Sequence, residues 1–155
     1  MFHAALCPSP LGELYLEEQD GALCRVTQYT RAASPRPLDG SPLLDEAIVQ
    51  LTEYFAGTRK EFTLPLAPKG TPFQQKVWQA LCTIPYGQTR TYGQIAAQVD
   101  CPKGSRAVGM ANNKNPIMII IPCHRVIGAN GKLVGYAGGL HIKEHLLTLE
   151  ATHDQ

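Results

Sequence analysis

Residues 91–113 read TYGQIAAQVDCPKGSRAVGMANN and predict two short helices joined by a turn. Thr91 and Gln94 have the spacing of a capping box, in which two side chains satisfy backbone N–H groups at the start of a helix. Ser105 is placed to cap a second helix that runs from Arg106 to about residue 113, after a Pro-Lys-Gly turn. A basic second helix of this kind is typical of a helix-turn-helix, although an ordinary helical hairpin gives the same pattern.

The chain before this stretch predicts a boundary between two domains. Residues 64–70, LPLAPKG, have the composition of a linker. Thr71 and Gln74 form another capping box with proline at the first helical position, so helices dominate from this point. We therefore predict an N-terminal domain of residues 1–66 and a C-terminal domain of residues 67–155.

The N-terminal residues predict a small domain with both strands and a helix. Residues 13–17 and 22–29 carry apolar side chains at alternate positions, and the Asp-Gly step between them favours a hairpin. Ser41 followed by proline marks the start of a helix with apolar side chains at helical spacing, and Gly57 is placed to end it.

The composition excludes several protein classes. Of 155 residues, 44% are hydrophobic and 17% charged, which is typical of a globular protein. The longest apolar run, residues 117–121, is far shorter than the ~20 residues of a membrane-spanning helix. The first residues also lack the basic segment of a signal peptide. We expect a cytoplasmic protein that does not enter a membrane.

Charge is distributed unevenly, although the whole chain has a formal net charge of only +1. Residues 1–66 carry a net charge of −4 and residues 67–155 a net charge of +5. The asymmetry suggests that the C-terminal part meets a polyanion such as nucleic acid, although dispersed lysines are also common on solvated surfaces.

Cys123 is the candidate nucleophile. The apolar run at residues 117–121 is expected to be buried as a strand or extended segment, and it leads directly to Cys123, His124 and Arg125. Neighbouring positive charge or a base favours the thiolate, which is the reactive form of cysteine. A buried structural cysteine would give the same Cys-His step.

Metal-ligand patterns are missing from the sequence. Five cysteines form an odd set without a CxxC pair, which indicates reduced thiols rather than a disulfide framework. Cys7 and Cys24 do not sit in a recognisable pattern with two further ligands, and His141 and His145 lack a third. We predict no metal and no cofactor.

Four segments together resemble the O6-alkylguanine-DNA alkyltransferases. They read SRAVGMA at 105–111, NP at 115–116, IPCHRV at 121–126 and GYAGG at 135–139, in this order and with the family's spacing. The resemblance covers residues 71–150 and is weaker over residues 1–66. It implies an α+β protein with a ribonuclease-H-like N-terminal sheet and helix domain and a mostly helical C-terminal domain that contains a helix-turn-helix.

The same resemblance implies repair of DNA by a single, self-inactivating transfer of an alkyl group from O6 of guanine to Cys123. His124 matches the residue that draws away the thiol proton through a bound water, and Glu150 matches the carboxylate that orients this histidine. Tyr92 matches the tyrosine that neutralises charge developing on the base.

DNA contacts are implied in the same way. Arg106 matches the finger that fills the stack after the damaged base is flipped out, and Asn115 matches a hinge between the DNA-binding helix and the cysteine. Further matches contact substrate or DNA: Gly93, Cys101, Val126, Ala129, Tyr136 and Ala137. The expected partner is double-stranded DNA containing O6-alkylguanine, bound by a monomer, with cooperativity left open.

Two other functions stay open. Relatives that only bind lesions lack the acceptor cysteine, so Cys123 argues against such a role. A cysteine hydrolase would turn over repeatedly, and it gives no reason for Arg106 or for the charge asymmetry.

Overall fold

The three N-terminal strands and the C-terminal helices lie in separate compact units, Met1–Lys69 and Gly70–Gln155. The computed structural model describes residues 1–29, 37–131 and 139–154. The mixed α+β class is confirmed. None of the helices within the described ranges is long and apolar enough to cross a membrane.

The first unit contains a three-stranded antiparallel sheet in the order β1-β2-β3. The strands are β1 (Phe2–Cys7), β2 (Leu14–Gln19) and β3 (Ala22–Gln28). Asp20 and Gly21 join β2 to β3, and both have positive φ angles, 51° and 85°, as a tight two-residue hairpin requires. The predicted hairpin is therefore confirmed.

Strand β1 was not predicted from the sequence because its fully buried residues do not alternate. Ala4 and Cys7 are the buried positions, three residues apart. Its backbone nevertheless pairs along its whole length with β2.

One helix, α1 (Pro42–Phe55), packs against this sheet. Ser41 caps it as predicted, since its side chain accepts a hydrogen bond of 3.1 Å from the backbone N–H of Leu44. The core between helix and sheet contains the fully buried side chains Leu14, Leu16, Leu23, Leu44, Ala47, Leu51 and Tyr54. Their burial provides the main driving force for the folding of this unit.

The second unit is built on three packed helices, α2 (Pro72–Leu81), α3 (Tyr92–Gln98) and α4 (Ser105–Asn113). Both predicted capping boxes are present at the starts of α2 and α3. The indole Nε1 of Trp78 donates a hydrogen bond of 2.9 Å to the carbonyl of Ala111, which ties α2 to α4. Helices α3 and α4 form the helix-turn-helix.

The start of α4 differs from the prediction. Gly104 is the N-cap residue, Ser105 is already helical, and no side chain caps the helix. The turn before α4 is tight, because a Cβ at Gly104 would lie 2.4 Å from the sulfur of Cys101. Position 104 therefore accommodates glycine, and α4 begins after it without a capping side chain.

The prediction that residues 117–121 form a strand or extended segment is wrong, although the predicted burial is confirmed. The segment forms successive turns, with Ile119 at a φ of 74°. Asn115 explains the difference, because its side chain accepts a bond from the N–H of Ile117 and donates one to the carbonyl of Ile121. The apolar side chains are thus buried in a closed loop and not in a sheet.

The chain then forms a 3-10 helix (Cys123–Arg125) and the short strand β5 (Val126–Ile127). Strand β5 pairs in parallel with β4 (Arg90–Thr91). The last element is α5 (Leu140–His153), which packs on the 3-10 helix.

Candidate active site

Cys123 is the first residue of the 3-10 helix and is almost completely buried, with 5% of its surface exposed. Its N–H donates to the carbonyl of Ile121 at 2.8 Å, and its own carbonyl accepts from the N–H of Val126. The backbone on both sides of the thiol is therefore fixed by hydrogen bonds.

His124 and Glu150 form a buried pair next to this thiol. Nε2 of His124 lies 2.6 Å from Oε2 of Glu150, and both side chains are essentially inaccessible to solvent. Helix α5 contributes Glu150 at its C-terminal end, and the 3-10 helix contributes His124.

Two further groups bind the Glu150 carboxylate. Arg125 donates from Nε to Oε1 at 2.8 Å and from Nη2 to Oε2 at 3.0 Å, in a bidentate arrangement. The backbone N–H of Gly87 donates to Oε1 at 3.2 Å. We expected the charge of Arg125 to act on the thiol, but its guanidinium hydrogen bonds go instead to Glu150 and to the carbonyl of Ile84.

These contacts determine the protonation states of the pair. Burial alone would raise the pKa of Glu150, but its hydrogen bonds and charge interactions with His124 and Arg125 prevail and lower it to about 2. Burial lowers the pKa of His124, against the opposing effect of Glu150. Near neutral pH the site therefore combines a carboxylate with a neutral imidazole.

The tautomer of His124 follows from this assignment. An ionised carboxylate only accepts hydrogen bonds, so Nε2 of His124 must carry the proton that points to Glu150. Nδ1 is then the unprotonated nitrogen, and it is buried with no hydrogen-bond partner in the part of the chain that the structure describes. It is the basic atom of the site.

Tyr92 is brought to the site by the pairing of β4 with β5. It directly follows β4, whose partner strand directly follows the 3-10 helix of Cys123. Burial, and to a smaller extent Cys123, raises the pKa of Tyr92. Its phenol is therefore a hydrogen-bond donor at neutral pH.

Sequence reasoning missed a buried lysine. Lys143 on α5 is completely buried, and its Nζ lies 5.8 Å from the centre of the Tyr92 ring. Burial lowers the pKa of Lys143, and Cys123 acts in the opposite direction. The spacing of seven residues to Glu150, which is two helical turns, was the signal that could have placed it on the same face.

Two asparagines link the end of α4 to the cysteine segment. The buried Asn112 donates from Nδ2 to the carbonyl of Cys123 at 3.3 Å. Asn115 donates from Nδ2 to the carbonyl of Ile121 at 2.8 Å. The sequence pointed to Asn115 but not to Asn112, whose burial depends on how α4 packs.

The remaining predicted residues lie mostly on the surface of the C-terminal unit. Arg106 is exposed on the first turn of α4, and Gly93 and Ala129 are exposed as well. Cys101 is half-buried in the turn before α4, whereas Val126 is completely buried in β5. Two predicted residues, Tyr136 and Ala137, lie outside the described residues.

No group of three His, Cys, Asp or Glu side chains within residues 1–29, 37–131 and 139–154 is arranged to hold a metal ion.

Two family models match consecutive parts of the chain. The ribonuclease-like domain of 6-O-methylguanine DNA methyltransferase matches residues 2–68, and the DNA-binding domain of the same protein matches residues 72–152. The chain belongs to the 6-O-methylguanine DNA methyltransferase family.

Relatives within this methyltransferase family are close. The methylated-DNA–protein-cysteine methyltransferase of Mycobacterium leprae is 50% identical over 97% of this chain and 93% of its own length. That of Methanosarcina acetivorans is 66% identical over 69% of each chain. The crystal structure of Mycobacterium tuberculosis OGT in complex with DNA is 46% identical, with a TM-score of 0.86 over 97% of this chain and 94% of that one.

Membership of the methyltransferase family gives the activity of the chain. The chain is a DNA-repair methyltransferase that transfers methyl groups from DNA to a protein cysteine and binds DNA. Helices α3 and α4 lie within residues 72–152, which match the model of the family's DNA-binding domain.

Proposed function

We propose that Cys123 is the acceptor of an alkyl group from O6 of a modified guanine in duplex DNA, and that each protein molecule reacts once. The observation that carries this proposal is the buried Cys123 beside His124, whose Nε2 is bound to Glu150 and whose Nδ1 is unprotonated. A neutral imidazole in this state is a general base for the thiol.

The reaction balances as a displacement at carbon. Nδ1 of His124 takes the thiol proton, through one intervening water, and the sulfur of Cys123 forms a bond to the alkyl carbon. The bond between that carbon and O6 breaks, and its electron pair stays with guanine. The base then takes up a proton, so that overall the thiol proton ends on the restored guanine.

Two buried or half-buried groups of the site stabilise the charges of this step. The phenol of Tyr92 donates a hydrogen bond to the base as negative charge develops there, in the manner of an oxyanion-hole donor. Lys143 supplies positive charge near Cys123 when its amine is protonated, which favours the thiolate.

Single turnover follows from the product. The alkylated Cys123 is a thioether, and water does not cleave a carbon–sulfur bond of this kind under ordinary conditions. Among residues 1–29, 37–131 and 139–154, the proposed site contains a base for the thiol but no second nucleophile that would release the alkyl group.

Base flipping follows from the burial of the target atom inside a duplex. An enzyme that acts on a base must extrude it, at a cost of a few kcal/mol. Arg106 is exposed at the start of α4, where its side chain is able to enter the groove and replace the extruded base. We propose that the small side chains at Gly93, Cys101 and Ala129 allow the DNA backbone to approach closely. Asn115, which follows α4, is proposed to act as a hinge between this helix and the segment that carries Cys123.

All the reacting groups that we propose come from one chain, so we propose that the protein acts as a monomer on double-stranded DNA.

The test is mass spectrometry of the protein after incubation with duplex DNA that carries one O6-methylguanine. The expected result is a gain of one methyl group on Cys123, with one guanine restored per protein molecule. Cys82→Ser is the matched control, because Cys82 is an exposed thiol outside the site and its loss should change nothing. A methyl group on Cys82, or bound DNA with no gain in mass, contradicts the proposal.

A further inference from the structure

Arg125 is buried and its guanidinium is held at three positions. Nε and Nη2 bind the two oxygens of Glu150 at 2.8 and 3.0 Å, and Nη1 donates to the carbonyl of Ile84 at 2.7 Å. The Tyr86 ring lies beside the guanidinium carbon, 5.7 Å from ring centre to carbon. Such a bidentate pair holds both partners in one orientation.

This arrangement changes the character of the His124 and Glu150 pair. A buried carboxylate with histidine as its sole partner stabilises the protonated imidazole, since the cation supplies the missing counter-charge. Here Arg125 supplies a permanent positive charge, because guanidinium is not deprotonated in proteins. Glu150 is thus neutralised without a proton on His124.

We propose that Arg125 is a positioning residue that acts through Glu150 to keep His124 neutral and ready to accept the thiol proton. The inference rests on the proposed function, because it assigns His124 the role of base. It adds Arg125, whose side chain contacts neither the Cys123 thiol nor the modified guanine in the proposed reaction.

The charged groups around His124 agree with this assignment. Glu150 on α5 raises the pKa of His124, whereas Arg125 on the same 3-10 helix and Lys143 on α5 lower it, in addition to the larger effect of burial. The other titratable neighbour of His124 is the thiol of Cys123, the preceding residue in the chain. Without the Arg125 charge, the pKa-raising effect of Glu150 on His124 is opposed by fewer groups. His124 should therefore take up a proton at a higher pH.

The test compares Arg125→Met with Arg125→Lys in the full chain. Two quantities are measured against pH: the NMR titration of the His124 imidazole, and the rate constant for transfer from DNA carrying O6-methylguanine. In Arg125→Met the titration and the acid limb of the rate profile should move together to higher pH. The loss of rate should be about tenfold near pH 6 and much smaller above pH 8.

Arg125→Lys keeps the charge but cannot make the bidentate contact. Its rate should fall at all pH values, while its acid limb stays where the wild-type limb is. If Arg125→Met fails to fold, Arg125→Lys alone is decisive, since an acid limb that moves upward despite the retained charge overturns the proposal.

The control is Arg59→Met, which removes another arginine from a pair with glutamate, at 2.8 Å from Glu53 in the N-terminal unit. It should leave the titration of His124 unchanged. A folded Arg125→Met protein with an unchanged His124 titration would mean that Arg125 is only structural. If wild-type protein shows no transfer at all, the proposed function fails, whereas the titration still reports on Arg125.

Discussion

Nε2 of His124 and Oε2 of Glu150 are 2.6 Å apart inside the C-terminal unit, although the two residues are 26 positions apart in the chain. The contact exists because α5 packs against the 3-10 helix that carries Cys123. Formation of the site is therefore coupled to the docking of the last helix, and this coupling makes Glu150 the most informative position for mutation.

Glu150→Gln should impair both stability and transfer. The variant leaves the charge of Arg125 buried without its partner, which costs about 3–5 kcal/mol in comparable sites. Transfer should fall by at least about 100-fold, because the amide no longer fixes the His124 tautomer. Glu144→Gln, on the exposed face of the same helix, is the matched control. Urea unfolding and single-turnover kinetics measure the two effects, and wild-type values for Glu150→Gln would contradict this assignment.

Acid should destabilise the C-terminal unit in two steps. The first step comes from His124, whose pKa is lowered in the folded protein. As the pH falls below about 6.5, this histidine takes up a proton more readily in the unfolded chain than in the folded protein, so the free energy of unfolding decreases. Glu150 has a pKa lowered to about 2 from 4.5, so its contribution is present above about pH 4.5 and is lost as the pH falls towards 2. That contribution is roughly 3 kcal/mol. The free energy of unfolding, measured from pH 7 down to pH 2, should fall in both steps in the wild type and only in the first step in Glu150→Gln.

Arg106→Ala should separate base extrusion from chemistry. The variant should repair O6-methylguanine in duplex DNA at least about tenfold more slowly, because the side chain no longer fills the vacated stack. Its reaction with the free modified base should be unchanged, since no extrusion is needed there. Equal losses in the two assays would rule out the finger role.

DNA affinity should decrease with salt, and Lys103 should contribute to the slope. Lys103 is exposed in the turn between α3 and α4. If it binds a phosphate, Lys103→Met should reduce the slope of log affinity against log salt by about 1. Lys60→Met, at an exposed position of the N-terminal unit, should leave the slope unchanged. Fluorescence anisotropy with a short duplex measures both, and identical slopes would place Lys103 outside the DNA contact.

Gly87→Ala should destabilise the C-terminal unit. Gly87 has a φ of 79°, and a Cβ there would lie 2.4 Å from the carboxylate of Asp154. The left-handed conformation alone costs a side chain about 1–2 kcal/mol. Combination with Asp154→Ala should restore only the part of the loss that comes from the carboxylate contact. Thermal unfolding of the single and double variants decides this, and a Gly87→Ala protein as stable as the wild type would contradict it.

Local signals in the sequence were reliable where the physical cause is local. The capping boxes at Thr71 and Thr91 and the hairpin at Asp20-Gly21 depend on atoms within four residues of each other. The sequence also identified Cys123, His124 and Glu150 as candidates, although their proximity rested on a resemblance and not on any local rule.

Predictions failed or were missing where distant parts of the chain decide the outcome. Residues 117–121 have the composition of a strand, but Asn115 closes them into turns. The sequence placed Arg125 next to the thiol and did not single out Lys143, because it does not reveal which charged side chains become buried.

The sequence by itself determined the α+β class, the β2–β3 hairpin, the helices α1, α2 and α3, and the family to which the chain belongs. Only the tertiary structure decided that Arg125 binds Glu150 and that Nδ1 of His124 is the basic atom. The reason is that both depend on burial and on hydrogen bonds between α5 and the 3-10 helix. Such contacts form only when segments far apart in the chain pack together and exclude water.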